Sequence, residues 1–370
     1  MKNKDGLCGM VLERLRLLGG YAVEDTLREL SERYGIDSGE IVRLNSNENF
    51  FMPAERIREL LKEVAEECDL RVYPLEEEYQ LKEMLADYVH LAADHIIVAN
   101  GSDELIQQIS WLFLENGEQA LSVMPTFSMY RHSVCLSGAE YFEVPLMRDF
   151  SIDVDRILNV TTPRTKVLFL CSPNNPTANE FEPNAIRSLV EKFPGLIVID
   201  EAYVEFAKRS MCSLLDEFDN VIILRTFSKA FGLAGVRLGY ALASETLATE
   251  FSEKAQPPYP VGSIALKMGL KIMSNVGLVK DAVEQLKAER KTLVAKLNEI
   301  EGVKAFDSQT NFILFRTGTQ SDRIYKELLS KGVWVKNLGQ ILCYSNCLRA
   351  TVGKPQMNLR LLSALEGIRG

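Results

Sequence analysis

Short apolar runs at residues 95–99, 167–170, 196–199, 221–224 and 238–242 constrain the fold of this chain more than any other feature. The runs lack a sustained apolar–polar alternation, so each strand has to be covered on both faces. A mostly parallel sheet packed between helices satisfies that demand. Between and before the runs, apolar residues recur with helical spacing, at Ile57, Leu60, Leu61, Val64 and Cys68, and again at Leu81, Met84, Leu85, Tyr88 and Val89. Residues 103–114 repeat the pattern immediately after the first run, which predicts a strand, a tight turn at Gly101 and a helix.

The series stops at Gln256-Pro257-Pro258-Tyr259-Pro260, which fits neither a helix interior nor a central strand. Beyond it the pattern predicts a long helix (281–300), a strand (311–316), a helix (322–330), strands at 333–336 and 348–352, and a final helix carrying Leu361, Leu362, Leu365 and Ile368. At 370 residues the chain exceeds what one core usually holds. The expectation is an α/β protein with a large domain over 51–256 and a smaller α+β domain over 257–370. Residues 1–50 are expected to form an arm and part of the smaller unit.

A net charge of −9 argues against a broad face for nucleic acid. Seven cysteines without a C-x-x-C pair, and three histidines in all, make a poor metal framework, so no metal is expected. The odd thiol count suits a reducing, cytoplasmic setting. Charges at Lys2, Lys4, Asp5, Glu13, Arg14 and Arg16 break any signal-like core, and no apolar run has the length of a membrane span.

In parallel sheets ligands bind beyond the carboxyl ends of the strands, so the residues that end each run are the ones to examine. After the first run come Asn100, Gly101, Ser102 and Asp103, where free amides at a helix start suit a phosphate. The same residues also suit plain helix capping by Ser102 or Asp103. After 167–170, prolines flank Asn174 and Asn175, holding an amide rigidly, although Asn-Pro is also a common turn. Asp200 ends the next run with Tyr203 three residues on, and a carboxylate there needs a cation or a proton.

After 221–224 come Thr226, Ser228 and Lys229, with Arg237 eight residues beyond the lysine. A lone lysine after a strand is most often a solvated surface residue, and Phe127 alone is an ordinary core aromatic. Together, in order at successive strand ends, they supply a phosphate turn, a ring-stacking aromatic, an amide, a carboxylate with a phenol, and an amine with a guanidinium. That set matches pyridoxal 5′-phosphate bound covalently to Lys229, with Asp200 against its ring nitrogen. Asp200 as a magnesium ligand would call for a G-x-x-x-x-G-K-[ST] loop, and the sequence has none.

With these motifs, and with Leu44-Asn45-Ser46-Asn47-Glu48-Asn49, Tyr73-Pro74, Pro258-Tyr259-Pro260 and Leu348-Arg349-Ala350-Thr351-Val352-Gly353, the chain resembles the fold-type I pyridoxal-phosphate transferases, class I/II aminotransferases, over residues 21–365. Within that class it is most similar to the histidinol-phosphate aminotransferase family. The resemblance implies a homodimer in which Tyr73 reaches the partner's cofactor phosphate. It also implies that Lys229, Asp200 and Tyr203 are catalytic and that Gly101, Ser102, Asp103, Phe127, Asn175, Thr226, Ser228 and Arg237 bind the cofactor.

By the same resemblance, Tyr21, Asn47, Lys336 and Arg349 bind substrate. The amino donor would be histidinol phosphate and the acceptor a 2-oxo acid, 2-oxoglutarate, in histidine biosynthesis. An aromatic amino-acid aminotransferase and a threonine-phosphate decarboxylase share the cofactor motifs and remain alternatives. A non-catalytic module would be expected to have lost Lys229 or Asp200, and both are present. Three residues depart from the family pattern. Ala178 stands where Gly is usual and should only stiffen a turn, Phe50 replaces a Pro, and Lys336 replaces a common Arg, a point charge in place of a fork.

Overall fold

The computed structural model describes residues 25–368. Its strands in chain order are β1 (Val42–Arg43), β2 (Ile96–Ala99), β3 (Gln119–Met124), β4 (Glu140–Pro145), β5 (Thr165–Cys171), β6 (Leu196–Asp200), β7 (Val221–Thr226), β8 (Gly239–Leu242), β9 (Val303–Ala305), β10 (Phe312–Thr317), β11 (Val333–Trp334), β12 (Lys336–Ile341) and β13 (Tyr344–Thr351). The larger sheet has the order β2-β8-β7-β6-β5-β3-β4. From β7 to β4 every pairing is parallel, and β8 runs antiparallel to both β7 and β2.

The expectation of a mostly parallel, doubly covered sheet follows directly from the side chains. Along β5, β6 and β7 alternate residues enter two separate cores: Leu168, Leu170, Ile197, Ile199, Val221 and Ile223 face one. Val167, Phe169, Val198, Ile222 and Leu224 face the other. Cutting one such buried aliphatic side chain to alanine typically costs about 2–5 kcal/mol. Helices cover the faces, among them Ser102–Phe113, whose start follows β2 as the turn at Gly101 predicts.

The edge strand β4 and its neighbour β3 went unanticipated. In β4 only Val144 is fully buried, so the continuous apolar signal is missing there. The helix Ser263–Met273, just after the proline cluster, was also unforeseen.

The second sheet, β12-β13-β10-β9, is antiparallel throughout. The predicted run at 333–336 divides: β11 pairs in parallel with β1, and β12 begins at Lys336. The segment after β1 stitches the two sheets together. The Leu44 N–H donates to the Trp334 carbonyl (2.7 Å), the Thr351 N–H to the Leu44 carbonyl (2.8 Å), and the Asn49 side-chain amide to the Ala230 carbonyl beside Lys229 (2.7 Å).

Candidate active site

A cavity of about 1090 Å³ opens where β5, β6 and β7 end, as the rule for parallel sheets requires. Just behind its wall near β2 lies Gly101, at φ +84°, where an added Cβ would lie 2.9 Å from Nη2 of the lining residue Arg237. Only glycine combines that backbone with so close a guanidinium. The helix beginning at Ser102 has no side-chain cap, so capping by Ser102 or Asp103 is not what these residues do. Ser102 and Asp103 line the cavity instead, at the positive end of a helix of 12 residues.

Arg237 crosses this corner, donating to Ser228 Oγ and to Asp103 Oδ2, both at 3.2 Å. The Ser228 N–H donates to Thr226 Oγ1 (3.1 Å). Guanidinium, hydroxyls and helix amides thus converge on a corner suited to a phosphate. Asp103 enters through its carboxylate as well as its backbone, which the sequence reading did not foresee.

Lys229 reaches the cavity from the loop after β7, with Nζ 3.3 Å from the Ser46 carbonyl and 5.9 Å from the centre of the Tyr203 ring. Burial, and then the neighbouring Arg349 charge, lower its ammonium pKa to about 8. Asp200, at the end of β6, is only 3% exposed. Its Oδ2 accepts from the Tyr130 hydroxyl (2.6 Å) and its Oδ1 from the Ala202 N–H (3.0 Å). Burial raises its carboxyl pKa to about 6, and among the described residues it has no salt-bridge partner. A buried carboxylate that faces the cavity without an ion-pair partner of its own among the described residues fits a ligand that brings a protonated ring nitrogen.

On the far side, Arg349 donates to Asn175 Oδ1 at 2.6 Å, which fixes the amide and leaves its NH2 group for another acceptor. Asn47 Nδ2 donates to the Tyr203 oxygen at 3.0 Å, so the phenol keeps its own proton to give. Asn47, at φ +56°, is itself held by Asn311, just before β10, and by Thr351 at the end of β13. Two donors, Asn175 and Tyr203, are therefore available to a phenolic oxygen. Phe127 lines the same cavity, edge-on to Tyr130 at 5.7 Å. Lys336 lines it too, opposite Arg349 in the β12–β13 register.

Among the described residues, Tyr73, which is expected to serve a partner's site, does not line this cavity. Tyr73 is 72% exposed and stacks on Tyr259 at 4.7 Å, away from the residues that line the cavity. Tyr21 lies outside the described residues. Ala178 needs correcting: at φ +66° it does more than stiffen a turn, because a Cβ in the left-handed region costs about 1–2 kcal/mol.

The match to a class of known proteins agrees with this geometry. The family model for aminotransferase class I and II fits residues 39–365. The chain belongs to the class I and II aminotransferases. Relatives of this aminotransferase include a protein of Ruminiclostridium cellulolyticum named histidinol-phosphate aminotransferase, 36% identical over 88% of this chain and 92% of that one. Another, of the same name, from Thermoanaerobacter pseudethanolicus, is 35% identical over 88% of this chain and 92% of its own. Among solved structures, the histidinol-phosphate aminotransferase of Sinorhizobium meliloti in complex with pyridoxal-5′-phosphate superposes with a TM-score of 0.84. It is 24% identical and covers 94% of this chain and 95% of that one, a likeness of fold.

Sequence reasoning missed several cavity residues. Tyr130 is the chief one, with Arg131, His132 and Cys135 on the same helix, Met129–Ser137. The signal was available in the three-residue spacing of Phe127 and Tyr130, which puts both rings on one side of the first helical turn.

Proposed function

We propose that this aminotransferase takes pyridoxal 5′-phosphate and moves an amino group from histidinol phosphate to a 2-oxo acid such as 2-oxoglutarate. The observation that carries the reading is the placement of Lys229 and Asp200 in one cavity, an easily deprotonated amine together with a buried carboxylate that forms no salt bridge among the described residues. Lys229 would hold the cofactor; Ser102, Asp103, Thr226, Ser228 and Arg237 its phosphate; Asn175 and Tyr203 its phenolic oxygen; Phe127 its ring face. When bound, the cofactor supplies an electron sink for the bond-breaking at the substrate α-carbon.

The chain's own contribution is proton handling and grip. Lys229 is placed to take a proton from the substrate α-carbon, and its lowered pKa suits a general base near neutral pH. Asp200 would favour the protonated ring nitrogen of the bound cofactor. Arg349 offers a forked donor to a carboxylate, and Lys336, beside it, a point charge for the phosphate. The named relatives and this pair of cations favour histidinol phosphate over phenylalanine. We assign the large unit to 51–256 and the small one to 257–370, the β1–β11 pairing tying the amino-terminal residues to the latter.

Exposed Leu70, Val72, Tyr73 and Leu75 form an apolar patch that supports a homodimer in which Tyr73 serves the partner's site. No helix among the described residues is long and apolar enough to cross a membrane, and a cytoplasmic location suits the cysteines. A half-reaction screen with histidinol phosphate, phenylalanine and threonine phosphate, read by the absorbance of the bound cofactor, tests the substrate. Fastest reaction with histidinol phosphate is expected; fastest reaction with phenylalanine or threonine phosphate overturns it.

A further inference from the structure

We infer that Tyr130 is a positioning residue that keeps Asp200 ionised and aimed at the ring nitrogen of the bound cofactor. The inference rests on the cofactor assignment above and adds a residue to it. Tyr130 is fully buried, with burial holding its hydroxyl far from ionisation, so it remains a donor across the working pH range. Its O–H gives to one carboxylate oxygen and the Ala202 N–H gives to the other. Two donors on a carboxyl select the anion, because a protonated acid would waste one acceptor position.

The other ionisable neighbours leave that task to Tyr130. Cys171 lies opposite Asp200 on β5, but its thiol points to the Pro173 carbonyl (3.2 Å). Asp103, on the helix after β2, disfavours the anion, while Lys229 favours it through its charge. Tyr203, three residues after Asp200, feels the carboxylate but bonds Asn47. The Tyr130 ring is fixed independently of its hydroxyl, stacked on Phe169 (5.0 Å, 9° between planes) and edge-on to Phe127. Packing therefore determines where the O–H points. The same ring also touches the aromatic expected to cover the cofactor, so carboxylate and stacking face are located by one side chain.

The test uses Tyr130→Phe, which keeps both ring contacts and removes only the oxygen. Apo protein is titrated with pyridoxal phosphate and with its 1-deaza analogue, which lacks the ring nitrogen. The Asp200 carboxyl is followed in apo protein by carbon-13 NMR. Expected are pyridoxal phosphate binding weakened by about ten- to a hundredfold, as for loss of a hydrogen bond to a charged group, unchanged analogue binding, and an Asp200 midpoint moved upward from wild type. Equal weakening of both ligands, or an unmoved Asp200 midpoint, overturns the inference.

A double-mutant cycle keeps the question decidable if the single variant is unstable: in an Asp200→Asn background, Tyr130→Phe should cause no further loss of pyridoxal phosphate affinity. A full additional loss there would also overturn it. Failure of the wild-type protein to bind pyridoxal phosphate at all would instead refute the cofactor assignment.

Discussion

Nη1 of Arg349 lies 2.6 Å from Oδ1 of Asn175, while Nη2 of the same guanidinium lies 2.6 Å from the Asn45 carbonyl. One forked side chain thus links the segment that bridges the two sheets to the Asn175 amide in the cavity. Phe312 supports the guanidinium from one face at 5.3 Å. With the roles proposed for Arg349 and Asn175, a change at Arg349 should be felt in both substrate binding and cofactor geometry.

Replacing Arg349 by Lys keeps the charge and loses the fork. A single ammonium cannot hold Asn175, the Asn45 carbonyl and a carboxylate with the same geometry. Steady-state kinetics should show kcat/KM down by about a hundredfold, with KM raised for both donor and acceptor. A loss below about threefold would mean that the fork does not matter.

Lys229 should show its lowered pKa in the assembly of the enzyme. Attachment of the cofactor needs the neutral amine, and the ammonium form dominates below about 8. The rate at which apo protein gains a borohydride-fixed adduct should rise about tenfold per pH unit up to that point and then level. Lys229→Ala should give no adduct at any pH. Arg349→Gln removes a neighbouring positive charge that lowers the Lys229 pKa, so the plateau should move to higher pH.

Asp200 gives a prediction of opposite sign for stability. Its pKa in the folded apo protein, about 6, lies above the ordinary 3.8, so its stabilising contribution is complete below the lower value and lost as pH rises through the higher one. At pH 8 the buried anion costs the apo protein roughly 3 kcal/mol. Asp200→Asn should then raise the apo Tm at pH 8 and much less at pH 4, since the Tyr130 hydroxyl can turn to accept from the new amide. The same variant should lose at least about a hundredfold in kcat. A lower Tm for the variant at pH 8 would contradict the assignment of strain to this carboxylate.

The sequence exposed those parts of the fold and site that are local. Buried strands announce themselves by continuous apolar runs, and the residues that end them, Asp200 and Thr226, fall in the cavity because strand direction carries them there. What escaped depends on pairing. The direction of β8, antiparallel to its neighbours, leaves no trace in a strand of four residues, and β4 alternates in burial because it lies at the edge. Tyr130 reaches Asp200 from 70 positions away, a distance no periodicity encodes. The strain at Ala178 is likewise invisible until φ is known.

Lys336 faces Arg349 across β12 and β13, so its replacement tests phosphate recognition at one point of the register. Lys336→Arg should lower KM for histidinol phosphate by a few-fold, because a fork meets phosphate oxygens in pairs, while leaving KM for glutamate nearly unchanged. Lys336→Ala should raise the former by about tenfold. Equal effects on both substrates would place Lys336 outside the phosphate contact.

The apolar patch around Tyr73 tests the dimer. Leu70, Val72, Tyr73 and Leu75 are each more than half exposed, an arrangement that a second copy would cover. Val72→Asp would bury a charge in that interface and should shift the protein to monomer in sedimentation at micromolar concentration. Tyr73→Phe should leave the dimer intact and weaken cofactor retention by about tenfold, through loss of a hydroxyl to the phosphate across the interface. A monomer with full cofactor affinity would show that each chain completes its own site.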